Sequence, residues 1–280
     1  MYDIIQKTPR HLFDNPGIKI VFDFSGLRFA EPVGLSAFYN LLSLLRKLDA
    51  DVWFRGIDAS IPSHAYLDDC GFFKDYLGES LRSWSDPRRS TFPVVRVEHR
   101  DSHYWLSENF LPWLARELCV QKGHLSSVKT CIGELFNNIE NHSGETIGCV
   151  FAQHFPNKRC IKISISDFGV GIPHTIRKMK PELSDPDALV TATIEGFSSK
   201  SLPTNRGAGF GFVTDNVVVR NQGTVRIYSG SGMLTCAPSS NGVQRSARLA
   251  AGIYPGTLVE LTLETDKFRP DELDREDFEW

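Results

Sequence analysis

The sequence predicts an α/β fold in two units, and three observations carry that reading. Segments alternating apolar and polar residues, the period of a strand, are interleaved with segments whose apolar residues recur every three or four positions, the period of a helix. The order is strand–helix–strand–helix up to Gly78 and changes after Thr91. Between them GESLRSWSDPRRST mixes Ser, Pro, Gly and charge without apolar period, the composition of a linker. A chain of 280 residues also has the length of two domains, at about 100–200 residues each.

From Gly17, IKIVFDFSG places Ile18, Ile20, Phe22 and Phe24 on one face of a strand. In LSAFYNLLSLLRKL, Leu35, Phe38, Leu42 and Leu45 recur at helical spacing. ADVWFRGI reads as a second strand and PSHAYLDDCGFF as a helix ending near Gly71. Short connections between such elements predict a parallel strand pair with a right-handed crossover. After the linker, FPVVRVEH reads as a strand, ENFLPWLARELCV and SSVKTCIGELFNNIENH as helices, and IGCVFAQHF and CIKISISD as strands. Pro173 to Arg206 has no clear period and ends in a Gly cluster. GTVRIYSG is a further strand, a loose Gly-, Ser- and Arg-containing segment follows, and TLVELTLET is the last strand. The expected organisation is a unit over 1–78, a linker over 79–91, a unit over 92–264 and a mainly acidic, solvated tail over 265–280.

With 41% hydrophobic and 23% charged residues, disordered and low-complexity classes fall away. A net charge of −3 argues against a general nucleic-acid backbone binder. The six cysteines are scattered without a C-x-x-C pair, as expected of free thiols in a reducing compartment. No apolar run approaches the roughly 20 residues of a membrane span, and MYDIIQKTPRHLFDNPG lacks a signal-peptide layout. The expectation is a cytoplasmic protein with neither nucleic-acid nor membrane partners.

Glu134, Asn138 and His142 are spaced by four, on the flank of the stripe formed by Val128, Cys131, Ile132, Leu135 and Ile139. Carboxylate, amide and imidazole at the edge of a core suit a hydrated metal and a water to be activated. Read alone, the column is more simply a solvated helix flank. In ISISDFGVGIP a strand delivers Asp167 to its end, where a carboxylate could accept a hydrogen bond from an exocyclic amine. Gly169 and Gly171 permit close backbone approach, although D-x-G also makes an ordinary strand-ending turn. In NRGAGFGFVTDNVV, Gly207, Gly209 and Gly211 could offer backbone N–H groups to an anion, with a helix from Phe212 onward. A flexible loop end is the other reading, and the β-branched VVV favours strand locally. Gly256-Thr257 opens the last strand and alone is only a turn.

Taken in order, Glu134/Asn138/His142, Asp167-x-Gly-x-Gly-Ile172, Gly207-x-Gly-x-Gly211 and Gly256-Thr257 resemble the N, G1, G2 and G3 boxes of the Bergerat-fold (GHKL) ATP-binding superfamily, over about Phe92–Glu264. The resemblance implies an α/β sandwich, a mixed sheet covered by helices, that binds ATP and Mg²⁺. It implies Asn138 as the Mg²⁺ ligand and Glu134 as the general base. Asp167 would bind the adenine amine, with Gly169, Gly171 and Ile172 beside it and Thr257 supporting the adenine side. Gly207, Gly209 and Gly211, with Phe210 and Phe212, would form the phosphate cradle, and Pro173–Arg206 the mobile lid. Lys200 and Arg206 are candidate phosphate contacts or solvated loop charges. His142 stands at a position of variable chemistry in the superfamily. Over roughly Gly17–Gly78 the chain resembles the STAS domain of anti-sigma-factor antagonists. There the family reads Asp-Ser-Ser-Gly where this chain has Glu31-Pro32-Val33-Gly34, so Val33 offers no hydroxyl to phosphorylate.

These resemblances imply a Mg-ATP-binding regulatory protein, with a protein partner in a regulatory complex, STAS-like or sigma-like, and possible homodimerisation. One reading is a slow ATPase that acts as an interaction switch. The other is an anti-sigma-type serine/threonine kinase acting on a separate STAS protein. A degenerate nucleotide-binding scaffold is the third. No helix pattern with a phospho-acceptor His precedes the ATP unit, which sets sensor histidine kinases aside. Only Thr265–Trp280 follow the last strand, too few for the second domain of gyrase-type ATPases.

Overall fold

The computed structural model describes residues 19–139, 147–194 and 209–272. In the first unit, β1 (Lys19–Asp23) and β2 (Asp51–Arg55) pair in parallel, with Phe22 opposite Phe54. Between them α1 (Pro32–Lys47) starts on a proline, whose absent N–H would have no partner in a first turn anyway. Its expected stripe of Leu35, Phe38, Leu42 and Leu45 is buried. Helices α2 (Pro62–Asp69) and α3 (Phe72–Leu77) complete the unit.

Two strands and three helices make a small core, and this one is closed by the rest of the chain. Phe24, Phe38, Leu42, Phe72 and Phe73 form one apolar cluster with Cys149 and Phe151 of the second unit. The connecting stretch before Thr91 has neither helix nor strand, yet it is anchored. The buried Asp68 carboxylate accepts the Leu81 and Arg82 N–H groups at 2.7 and 3.0 Å, and Arg88 pairs with Asp69 at 3.1 Å.

The second unit begins with β3 (Thr91–Glu98) and α4 (His99–Trp105). A π-type turn at Leu106–Phe110 carries α4 into α5 (Leu111–Leu118). Then come α6 (Ser126–Asn138), β4 (Ile147–Phe155), β5 (Cys160–Asp167), α7 (Ile172–Arg177) and α8 (Asp185–Ala192). Finally α9 (Gly209–Thr214), extended by a π-type turn at Asp215–Arg220, precedes β6 (Thr224–Ser239) and β7 (Gly242–Glu264). The sheet order is β3-β4-β5-β7-β6, and every neighbouring pair is antiparallel. This corrects the expected mixed sheet. The crossover through α7–α9 does bring β6 parallel to β5, but β7 inserts between them and pairs antiparallel with both.

Three other expectations change. The aperiodic stretch from Pro173 holds two helices, α7 and α8, too short for a period to show. The loose segment after Gly230 is a long hairpin of β6 and β7. Leu234 and Cys236 on β6 are buried there, whereas Gln244, Ser246, Arg248 and Leu249 on β7 are partly or largely exposed and show no apolar alternation. The tail, read as solvated, is docked over its described part. Phe268 packs on the main core, and Asp271 accepts the Ser127 N–H at 2.7 Å and pairs with Arg220.

Helices α4, α5, α6 and α9 cover one face of the sheet, and α1 lies on the other. Glu31 pairs with Lys162 at 2.7 Å, and the Asn40 amide donates to Ser166 Oγ at 2.6 Å. Glu31 to Asn40 spans about 13.5 Å of helix and Lys162 to Ser166 about 13 Å of strand, so α1 runs along β5 in matched steps. Among the described residues, no helix is long and apolar enough to cross a membrane.

Candidate functional site

The C-terminal turn of α6 can lie close on the sheet because residue 148 is glycine. A Cβ there would meet Phe136 Cε1 at 2.9 Å and Ile139 Cδ1 at 3.0 Å. Gly148 adjoins the Cys149–Ser166 pair, so Asn138 lies near the end of the sheet at which β5 delivers Asp167. Side chains alternate across a strand. Ile161, Ile163 and Ile165 face the helices, and Asp167 continues that row. The sheet therefore points Asp167 into the helix side, where it is 5% exposed.

Registers on adjacent strands extend this change from apolar to polar. Ile165, Val259 and Ile227 form one apolar rung across β5, β7 and β6, and Asp167, Thr257 and Ser229 form the next. Asp167 Oδ1 accepts the Gly169 N–H at 2.7 Å. Ser229 Oγ donates to the Gly256 carbonyl at 2.5 Å and accepts the Ile172 N–H at 3.0 Å. This knot requires glycine twice. Gly171 and Gly256 have φ of 81° and 83°, and a Cβ would strike Ser229 Oγ at Gly171 and the Asp167 carbonyl at Gly256.

On α6, Glu134 Oε2 accepts the Gly209 N–H at 3.2 Å, tying that helix to the glycine segment. The Asn138 Nδ2 atom is buried without a hydrogen-bond partner among the described residues. A buried amide of this kind invites a group supplied from outside the chain. Its residue type fits an oxygen-rich cation such as Mg²⁺, through the carbonyl of the same amide. Among the described residues no three His, Cys, Asp or Glu side chains converge as a metal centre.

The structure thus brings together Glu134 with Gly209, and Asp167 with Gly169, Gly171, Ile172, Gly256 and Thr257. Phe210 is 8% exposed within the helix-side core and Phe212 packs against that core, so both rings anchor α9. Gly211 lies inside α9, and the VVV run continues as a helical turn, with Val217 and Val218 buried. His142, Lys200, Arg206 and Gly207 lie outside the described residues.

Two contributors escaped the sequence reading. Ser229 ends the alternation of Val225 and Ile227, and that polar break in GTVRIYSG was its only signal. Behind Asp167, on the opposite face, the Asn40 amide reaches both Ser166 Oγ and the Tyr254 hydroxyl, the latter at 3.0 Å. Burial pushes the Tyr254 phenol well above its ordinary range, so it serves as a neutral partner. Neither a scan against protein-family models nor a search of the curated proteins returns a match to this chain.

Proposed function

We propose that the chain is a Mg-ATP-binding regulatory protein of Bergerat type, a slow ATPase that works as an ATP-operated protein-interaction switch. One observation carries this reading. The buried, unpartnered amide of Asn138 and the buried carboxylate of Asp167 share one end of the sheet, on its helix-covered side. Asp167 would accept the adenine amine, with Thr257 and the Ser229 knot holding that end rigid. Asn138 would hold Mg²⁺, which when bound neutralises phosphate charge. Gly209 holds Glu134 Oε2, and no described residue bonds Oε1, a posture suited to taking a proton from water.

The first unit supports assembly rather than phosphoryl acceptance. Val33, at the position of the STAS acceptor serine, is 8% exposed and packs with Tyr228, Tyr254 and Leu258 of the sheet. The start of α1 is engaged within the chain, so a STAS-like or sigma-like partner would meet another surface.

Incubation with γ-labelled ATP, Mg²⁺ and a STAS-type protein tests the reading. Free phosphate is expected, and label on the added protein would instead make the chain an anti-sigma-type kinase. Absence of adenine-nucleotide binding would overturn both.

A further inference from the structure

A cavity lies away from Asp167. It has a volume of about 420 Å³ and is walled by the loop after β1, the start of α2, the anchored linker and the β4–β5 turn. The β5 strand separates it from Asp167 by its length, about 23 Å. Size and position at a junction of two units are those of a small-molecule pocket.

The charge of its lining is one-sided. Arg28, Arg88 and Lys158 contribute to the wall, and no Asp or Glu does, in a chain whose net charge is −3. Arg88 is partly neutralised by Asp69 behind the wall, at 3.1 Å. Among the described residues Arg28 meets backbone carbonyls, those of Ser25 and Leu27, and no carboxylate. Lys158 has no carboxylate within reach among the described residues, and its ammonium stands over the rings of Phe29 and Phe155 at 5.5 and 5.4 Å. The Arg88 guanidinium similarly covers the Tyr66 ring at 5.3 Å. These cations rest on aromatic faces that place them without discharging them.

The floor is fixed by hydrogen bonds. Tyr66 and Thr91 hydroxyls converge on Gln153 Oε1 at 2.8 and 2.5 Å. Phe29 is 59% exposed at the rim.

We propose that this pocket binds a small organic anion, its phosphate or carboxylate held by Lys158 and Arg28 and its flat apolar part lying against Phe29 and Phe155. The site is independent of the nucleotide reading. Because its walls come from both units and the linker, an occupant joins them.

Calorimetric titration with phenyl phosphate tests the proposal, beside inorganic phosphate for charge alone and benzyl alcohol for the ring alone. Saturable binding at one site per chain is expected, tighter than for either half. Lys158→Glu or Arg28→Glu should weaken it at least about tenfold, and added salt should weaken it too. Both side chains are exposed, so circular dichroism should be unchanged. Phe29→Ala should weaken phenyl phosphate but not inorganic phosphate. Absence of saturable binding, or equal affinity in Lys158→Glu, overturns the proposal. So does loss of binding in Asn138→Ala, which would assign the anion to the other site.

Discussion

Asn138 and Glu134 stand one helical turn apart on α6, and their surroundings divide their work. The Asn138 Nδ2 group has no partner among the described residues, whereas Glu134 already receives the Gly209 N–H. If Asn138 holds Mg²⁺ through its amide carbonyl as proposed, Asn138→Ala removes that ligand and should abolish Mg²⁺-dependent nucleotide affinity. Glu134→Gln should keep affinity and lose turnover, because the amide preserves shape and hydrogen bonding but accepts no proton. Titration with a fluorescent adenine nucleotide, run beside phosphate release, separates the two; equal loss of affinity in both variants would refute the division. The glycines give a second contrast. Gly256→Ala needs a side chain at φ 83° and drives it into the Asp167 carbonyl, while Gly209→Ala meets open space at φ 61°. The strained left-handed backbone alone costs about 1–3 kcal/mol, so Gly256→Ala should lose more than that in urea unfolding, and Gly209→Ala should stay within it.

Helix α1 shows what a helix sandwiched between two layers requires. Its stripe of Leu35, Phe38, Leu42 and Leu45 faces the first unit and was legible, because large apolar residues at helical spacing stand out. Its second buried face uses Val33, Ser36, Ala37 and Asn40, small or polar residues that carry no such signal. Docking of α1 on the sheet was therefore hidden, although the strands it contacts were foreseen. The same reason hid α4, whose HRDSHYW has no stripe, and the polar rung of the candidate site, of which Asp167 and Thr257 were legible but Ser229 was not. Motif order found the residues; strand register was needed to show which share a face. On the buried face Asn40 holds two hydroxyls, while Ser36 and Ser164, midway along the matched steps, are 0% exposed with unpartnered oxygens. Asn40→Ala leaves Ser166 and Tyr254 without their shared donor, at an expected loss of about 1–3 kcal/mol. Ser36→Ala removes an oxygen that has no partner among the described residues and should cost less. Equal losses from the two substitutions in urea unfolding would mean that packing, not the Asn40 bonds, holds α1 to the sheet.

Three carboxylates join parts of the molecule that are distant in sequence. Asp68 receives the linker, Asp185 ties α8 to Arg177 and to Ser231 of β6, and Asp271 brings the tail to the start of α6. Burial acts to raise each carboxyl, but hydrogen bonds and arginine partners outweigh it and hold all three below the ordinary range. For Asp271 the opposing groups are the Ser127 hydroxyl and N–H, the Ser126 hydroxyl and Arg220. A carboxyl with a lowered value in the folded state adds stability that is complete above its unfolded value and disappears as pH falls through the folded one. Unfolding free energy should thus hold above pH about 4 as far as these groups decide it, and decline below. Asp271→Asn removes one ionisation and weakens the cap on α6, so it should lower stability at pH 7 by about 1–3 kcal/mol and flatten the decline below pH 4. The Ser127 N–H that it caps begins the helix bearing Glu134 and Asn138, so the substitution should also weaken nucleotide affinity without touching the nucleotide. Urea unfolding from pH 7 to pH 3 measures the first effect. Identical pH slopes in the parent and the variant would show that the tail is not held by its charge.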